Sequence, residues 1–490
     1  MTGLCMIACG KRIPDSEHAV SVSLPTMADV VGYEKKLPGV MESICSGYPR
    51  FVCHWMVQRV QAYLGERVIV LRDHAAAEQL RRCTPVPVEV IREFSFGAVR
   101  LPETCTREQV EEIRGFLQHT GLHMPSRAAE DFLRDQGLLN QSQCETGPVI
   151  GDPENAILRE LSGLYHADIQ QLTLFPSGMA AFYAVFDAID RMQRPQGRGI
   201  WLQVGWLYLD SSAVLRKYAR ETKVFGVDSL DALEVYLREH HADVAALTTE
   251  VMTNPLLQTA DILRLSELCR HFDIPFIVDV SMPTPVNVDV LPYADIVIES
   301  LTKFAGGHAD VMAGLSVFGK GSRWSAEIRR QMVRSAPYLR DLQVLAHHIR
   351  DYPLRMQTIN ARAEVLTAYF EDHPHVRHVF GARQLDSRMT FEAVRRPGGG
   401  CGGVLSVVFD QPLERIYDRL ELLKGPSFGT VFTLCMPYVY LAHFDLASTP
   451  AGRAQLRSHG VDPELLRISV GLEPVEEVIA AFEAVWKKIR

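Results

Sequence analysis

The sequence predicts an α/β fold: a mostly parallel sheet with helices on both faces, joined to a smaller C-terminal α+β domain and preceded by an N-terminal α+β extension. Three observations predict it. Between residues 146 and 350, short and wholly apolar runs alternate with helical ones. That is the pattern of parallel strands covered on both faces by crossover helices. After residue 351 the alternation gives way to a long helix, a glycine-rich turn and a lone apolar run. Before residue 146, strand-like and helix-like segments mix without the same rhythm. The expected units are therefore 1–145, 146–350 and 351–490, and 490 residues are enough for two or three of them.

The elements follow in chain order. Ala19–Leu24 alternates as a strand does, and Glu66–Arg72 is a second strand. Thr106, followed by an acidic first turn and apolar residues up to Leu117, predicts a capped helix. In the middle third, Gln171–Phe175, Gly199–Gln203, Val244–Thr248, Pro275–Asp279 and Ile296–Ile298 are the strands. Ser229–Leu237 and Asp261–Arg270 are helices between them. In the last third, a helix runs through Thr358 to Phe370, and Arg395–Gly403 makes a tight turn into the strand Val404–Phe409. An amphipathic helix, Glu476–Trp486, closes the chain.

Composition removes several function classes. A net charge of −8 with no long basic run argues against a nucleic-acid partner. No apolar run reaches 18 residues, so no membrane span is expected, and the first residues lack the basic flank of a signal peptide. The ten cysteines are scattered, with no C-x-x-C pair. They read as reduced thiols of a cytoplasmic protein, with no zinc site and no disulfide framework.

The chemistry centres on Ser300-Leu-Thr-Lys-Phe-Ala-Gly-Gly-His308, just past an apolar strand. A lysine there, between hydroxyls and a glycine pair, suits an aldehyde cofactor with a phosphate, which points to pyridoxal 5'-phosphate. Four further segments fit the same cofactor. Phe175-Pro-Ser-Gly-Met-Ala-Ala181 is a strand-to-helix turn. There Ser177, Gly178 and Met179 would offer donors to a phosphate at a helix N-terminus. Asp279 ends a strand 24 residues before Lys303 and would keep a pyridine nitrogen protonated. Asn254 would bond the phenolic oxygen, although Asn-Pro alone is a turn signal. Tyr208 would stack on the ring and assist proton transfer, with an ordinary core tyrosine as its competing reading. A fifth segment, around Arg467, offers a planar fork to a substrate carboxylate, a structural salt bridge being the alternative.

Ser177–Ala181, Thr253-Asn-Pro-Leu-Leu257, Asp279, Ser300–Asp310 and Arg467-Ile-Ser-Val-Gly-Leu-Glu473 occur in the order seen in one family. Over about 150–490 the chain resembles the cystathionine γ-synthase family, the fold-type-I pyridoxal-phosphate enzymes of cysteine and methionine metabolism. His18–Thr26, Gly47-Tyr-Pro-Arg-Phe51, Phe391–Pro397 and Lys424–Gly429 are similar to the fungal-type branch. The resemblance implies Lys303 and Tyr208 as catalytic groups. It implies Ser300 and Thr302 on the phosphate and Ser427 beside Arg467 on the substrate carboxylate. It also implies amino-acid substrates and a homodimer or homotetramer.

The implied reaction is γ-replacement on an O-activated homoserine through a vinylglycine-type intermediate. The alternatives are a γ-lyase, or a specialised enzyme using S-adenosylmethionine or a carbon nucleophile. Two departures bear on the substrate. The family's Tyr-x-Arg, which precedes an Asn-Pro and reaches a neighbouring subunit's phosphate, has no counterpart in Thr146–Pro153. The glycines after the stacking tyrosine are replaced by Leu209-Asp-Ser-Ser212.

Overall fold

The computed structural model describes residues 6–140, 145 and 147–489. Cys5, Cys144 and Thr146 lie outside that set.

Residues 12–52 do not form a unit of their own. β1 (Arg12–Ile13) and β2 (Ser21–Val22) make a two-residue antiparallel ladder. The strand expected over Ala19–Leu24 is thus shorter, because its other backbone groups bond elsewhere. Val20 N–H donates to Ala309 at 2.7 Å and Leu24 N–H to Lys424 at 2.9 Å. Leu24, Met27 and Val30 enter the main core. Residues 55–139 build a separate small layer: β3 (Val68–Leu71), β4 (Glu89–Ile91) and β5 (Gly97–Arg100) form an antiparallel sheet in the order β3-β5-β4. The helices Trp55–Leu64 and Ser126–Asp135 close its core with Met56, Val60, Ala129 and Leu133. The predicted helix is Arg107–Thr120, with a full capping box between Thr106 and Gln109.

The large sheet holds β6 (Leu172–Phe175), β7 (Ile200–Val204), β8 (Glu221–Phe225), β9 (Val244–Glu250), β10 (Phe276–Asp279), β11 (Ile296–Glu299) and β12 (Gly314–Phe318). Its order is β6-β12-β11-β10-β9-β7-β8. β11, β10, β9, β7 and β8 pair in parallel, and β12 runs antiparallel between β11 and β6. Two strands escaped the sequence reading. β8, Glu-Thr-Lys-Val-Phe, is a half-exposed edge and lacks the apolar run of a central strand. β12 is fully buried but opens on glycine and carries a serine at its centre.

The C-terminal sheet joins β13 (Val376–Phe380), β14 (Val404–Phe409), β15 (Leu423–Lys424), β16 (Leu434–Pro437) and β17 (Leu466–Ser469) in the order β13-β14-β17-β16-β15. The helices Tyr352–Glu371 and Val475–Ile489 cover it, with Phe370 meeting Phe482 edge-on at 4.9 Å. The glycine run before β14 is an ordered turn. Gly400 and Gly402 N–H groups donate to the side chains of Asn287 and Asn360 at 2.9 and 3.1 Å.

Candidate active site

In an open parallel sheet, the carboxyl ends of the strands form the natural ligand edge. Here β9, β10 and β11 end on Glu250, Asp279 and Glu299, and the chain then runs into Ser300–Lys303. β6 ends just before Ser177, whose Oγ accepts from Ala180 N–H at 3.1 Å and caps the helix Gly178–Gln193. A cavity lies at this edge, with about 630 Å³ of non-atom space including its mouth. Tyr48, Arg50, Gly178, Met179, Tyr208, Glu250, Asn254, Asp279, Ser300 and Lys303 line it.

Lys303 borders the cavity yet is enclosed by protein. Burial, reinforced by the charges of Arg467 and Arg50, pulls its amine down to about 7. Its Nζ donates to Ser427 Oγ at 2.9 Å and sits 4.9 Å from the ring centres of both Tyr48 and Phe428. Ser427 has φ +97°, a left-handed backbone that turns the loop over the lysine. Arg467, on β17, donates to Asn254 Oδ1 at 3.1 Å and to the Ser427 carbonyl at 2.8 Å. That leaves the Asn254 amide N–H₂ as a donor.

Asp279 and Glu250 face each other across the β9–β10 register. Both carboxyls are raised by burial, and Asp279 raises Glu250 further. Asp279 is raised to about 6, held from rising further by N–H and hydroxyl donation from Ser281. The two carboxyls titrate as a pair, and burial favours one shared proton over two charges.

All the predicted site residues converge on this edge, but two of them serve the framework. The Ser177 hydroxyl caps its helix, and Thr302 Oγ1 accepts from Ala313 N–H at 3.1 Å. Neither side chain lines the cavity, and Ser427 and Arg467 stand just behind it, bonded to the lining residues Lys303 and Asn254. Several lining residues are not among the predicted site residues, Tyr48, Arg50 and Glu250 foremost. The signal for Tyr48 and Arg50 was present: Gly47-Tyr-Pro-Arg-Phe51 is itself a Tyr-x-Arg, about a hundred residues earlier than the stretch where that pattern was sought. A larger open cleft lies at the opposite end of the strands, around Phe276 and Asp295, and holds none of the predicted residues.

The site fits pyridoxal 5'-phosphate. A neutral amine is available at Lys303 and a carboxyl at Asp279. Free N–H groups open the helix at Gly178, where any Cβ would meet the Ser300 Cβ at 2.8 Å. Arg50 is 6% exposed, and its Nε has no hydrogen-bond partner among the described residues. Among the described residues no cluster of three metal-ligating side chains exists.

This fold and site define a fold-type-I pyridoxal-phosphate enzyme. Residues 150–487 match the family described as Cys/Met metabolism PLP-dependent enzyme, and the chain belongs to that family. It is 38% identical to the L-2-amino-4-chloropent-4-enoate dechlorinase/desaturase of Streptantibioticus cattleyicolor, over 96% of this chain and 97% of that one. It is 27% identical to the cystathionine gamma-synthase of Neurospora crassa, over 98% of both chains. The crystal structure of cystathionine gamma-lyase from Lactobacillus plantarum complexed with L-serine shares the fold. Its TM-score is 0.58 at 22% identity, covering 72% of this chain and 91% of that one. Among the described residues, no helix is long and apolar enough to cross a membrane.

Proposed function

We propose that this enzyme removes a leaving group from Cγ of a short α-amino acid, without a second amino acid as acceptor. The bound cofactor supplies an electron sink for charge developed at the substrate Cα. The chain's own residues do the rest. Arg467 and Ser427 hold the substrate carboxylate. Lys303, neutral near pH 7, takes the Cα proton and serves Cβ in turn. Asp279 keeps the ring nitrogen protonated. Tyr208 covers the ring and assists proton transfer. A proton is lost from Cβ, the leaving group departs from Cγ with its bonding electrons, and the proton taken from Cα is returned to the carbon skeleton. The net loss is one proton and the leaving group, so the product has one more degree of unsaturation than the substrate.

One observation supports elimination over replacement. A cysteine acceptor brings a second carboxylate that must be held. Among the described residues, the cations lining the cavity are Lys303 and Arg50, with Arg467 behind them on Asn254. Lys303 is the base, Arg50 is paired with Asp210, and Arg467 serves the first substrate. The rest of the wall is largely apolar, with Met179, Phe182, Met252, Met282 and Phe428. The relative named as a dechlorinase/desaturase supports the same reading. The second reading, γ-replacement on an O-activated homoserine, is favoured by the full-length match to the Neurospora cystathionine gamma-synthase.

The test is direct. Holoenzyme is given L-2-amino-4-chloropent-4-enoate, O-acetylhomoserine or O-succinylhomoserine, each with and without cysteine. Leaving-group release at a rate independent of cysteine is expected. Cystathionine forming faster than the elimination product overturns the proposal in favour of replacement.

A further inference from the structure

We propose that Arg50, paired with Asp210, is the residue that positions the Tyr208 hydroxyl. The inference rests on reading Tyr208 as a group that faces the reacting atoms. It goes beyond that reading by naming what holds the tyrosine and where it comes from.

The geometry is a clamp. Arg50 Nη2 donates to the Tyr208 hydroxyl at 2.7 Å. Its Nη1 pairs with Asp210 and donates to the Gln118 carbonyl at 2.9 Å. Asp210 accepts in turn from the Gln118 side chain at 2.9 Å. The Arg50 and Asp210 side chains are 2% and 1% exposed, so the pair has no competing water. Asp210 stands two residues past Tyr208, in the first turn of the helix Leu209–Tyr218. One guanidinium thus grips both the ring's hydroxyl and the turn that carries the ring. The Tyr208 backbone N–H donates to the Glu250 carboxyl, which fixes the other end of the residue. A planar fork can hold two partners at a set angle, and an ammonium cannot. Tyr48, from the same segment as Arg50, lies against the Lys303 amine.

This arrangement also gives the two sequence departures one physical cause. The aspartate in the turn after Tyr208 and the arginine of the N-terminal Tyr-x-Arg meet in a single contact. Each would be an uncompensated buried charge without the other.

The experiment is a double-mutant cycle on the holoenzyme: Tyr208→Phe, Arg50→Lys and the pair. Arg50→Lys keeps the buried charge but loses the fork. It should lower kcat by about 10²-fold with KM nearly unchanged, leaving the cofactor's colour and the melting temperature close to the parent's. Adding Tyr208→Phe to Arg50→Lys should cost nothing further, because both changes remove one function. Additive losses overturn the clamp while sparing Tyr208. A silent Tyr208→Phe overturns the Tyr208 reading and the clamp with it. Where Arg50→Lys does not fold, Asp210→Asn takes its place in the same cycle, with the same outcomes.

Discussion

Lys303 and Arg50 are two cations on the wall of one cavity, delivered there in different ways. Lys303 follows a buried central strand, and the sheet alone sets its position. Arg50 lies outside any helix or strand, and contacts with residues 68 and 160 positions away hold it. The first kind of placement is written locally, because a strand end and its next few residues travel together. The second depends on tertiary partners that no short window contains.

The comparison is tested most severely at Lys303. Lys303→Ala should lower turnover by at least about 10³-fold and leave a folded protein without the yellow of bound cofactor. A colourless variant with full turnover would remove the lysine from the chemistry, and with it the distinction drawn here.

The next test asks whose Arg50 serves whose Lys303. In the structure both belong to one chain. Mixing an Arg50→Lys chain with a Lys303→Ala chain should then restore no activity, since neither chain holds a complete site. Recovery toward a quarter of parental activity, seen after co-expression or reassociation, would mean that the N-terminal segment reaches a second copy.

These two residues show where legibility ends. The strand ends carrying Asp279 and Lys303, the helix start at Gly178 and the arginine on β17 were all readable, because apolar runs bounded by small residues locate them. The middle strands came out within two residues at most ends, since burial on both faces makes them continuously apolar. β8 and β12 were missed because an edge strand is polar and a serine breaks an apolar run. Ser177 and Thr302 are cofactor contacts by family resemblance, and in the structure their hydroxyls bond the backbone. Such local competition is usual for Ser and Thr at helix starts and turns. Arg50 was visible as a motif but not as a neighbour of Tyr208. Only the fold brings residue 50 to residue 208.

Arg467 sits between these cases, on a strand but held by two loops. Its fork already donates to Asn254 and Ser427. Arg467→Lys should raise KM for the amino acid by about 10- to 100-fold, the loss of one charged hydrogen-bonding arm, with kcat changed less. A fall in kcat alone would move Arg467 from substrate binding to orienting Asn254.

The smallest effect joins the two regions through charge. Capture of the cofactor aldehyde needs the neutral form of Lys303. With that amine at about 7, colour should develop in the apoprotein about tenfold faster per pH unit below 7 and level off above it. An ordinary lysine at 10.5 would keep climbing through pH 10. Burial is the largest cause of the shift, Arg467 the next, and Arg50 the third. A nearby cation disfavours the protonated amine, so removing one raises the pKa. In the charge-neutral pair Arg50→Gln with Asp210→Asn, the midpoint should therefore move upward, by less than burial itself contributes. A midpoint that stays at the parental pH would show that the N-terminal arginine shares the cavity with Lys303 without acting on its charge.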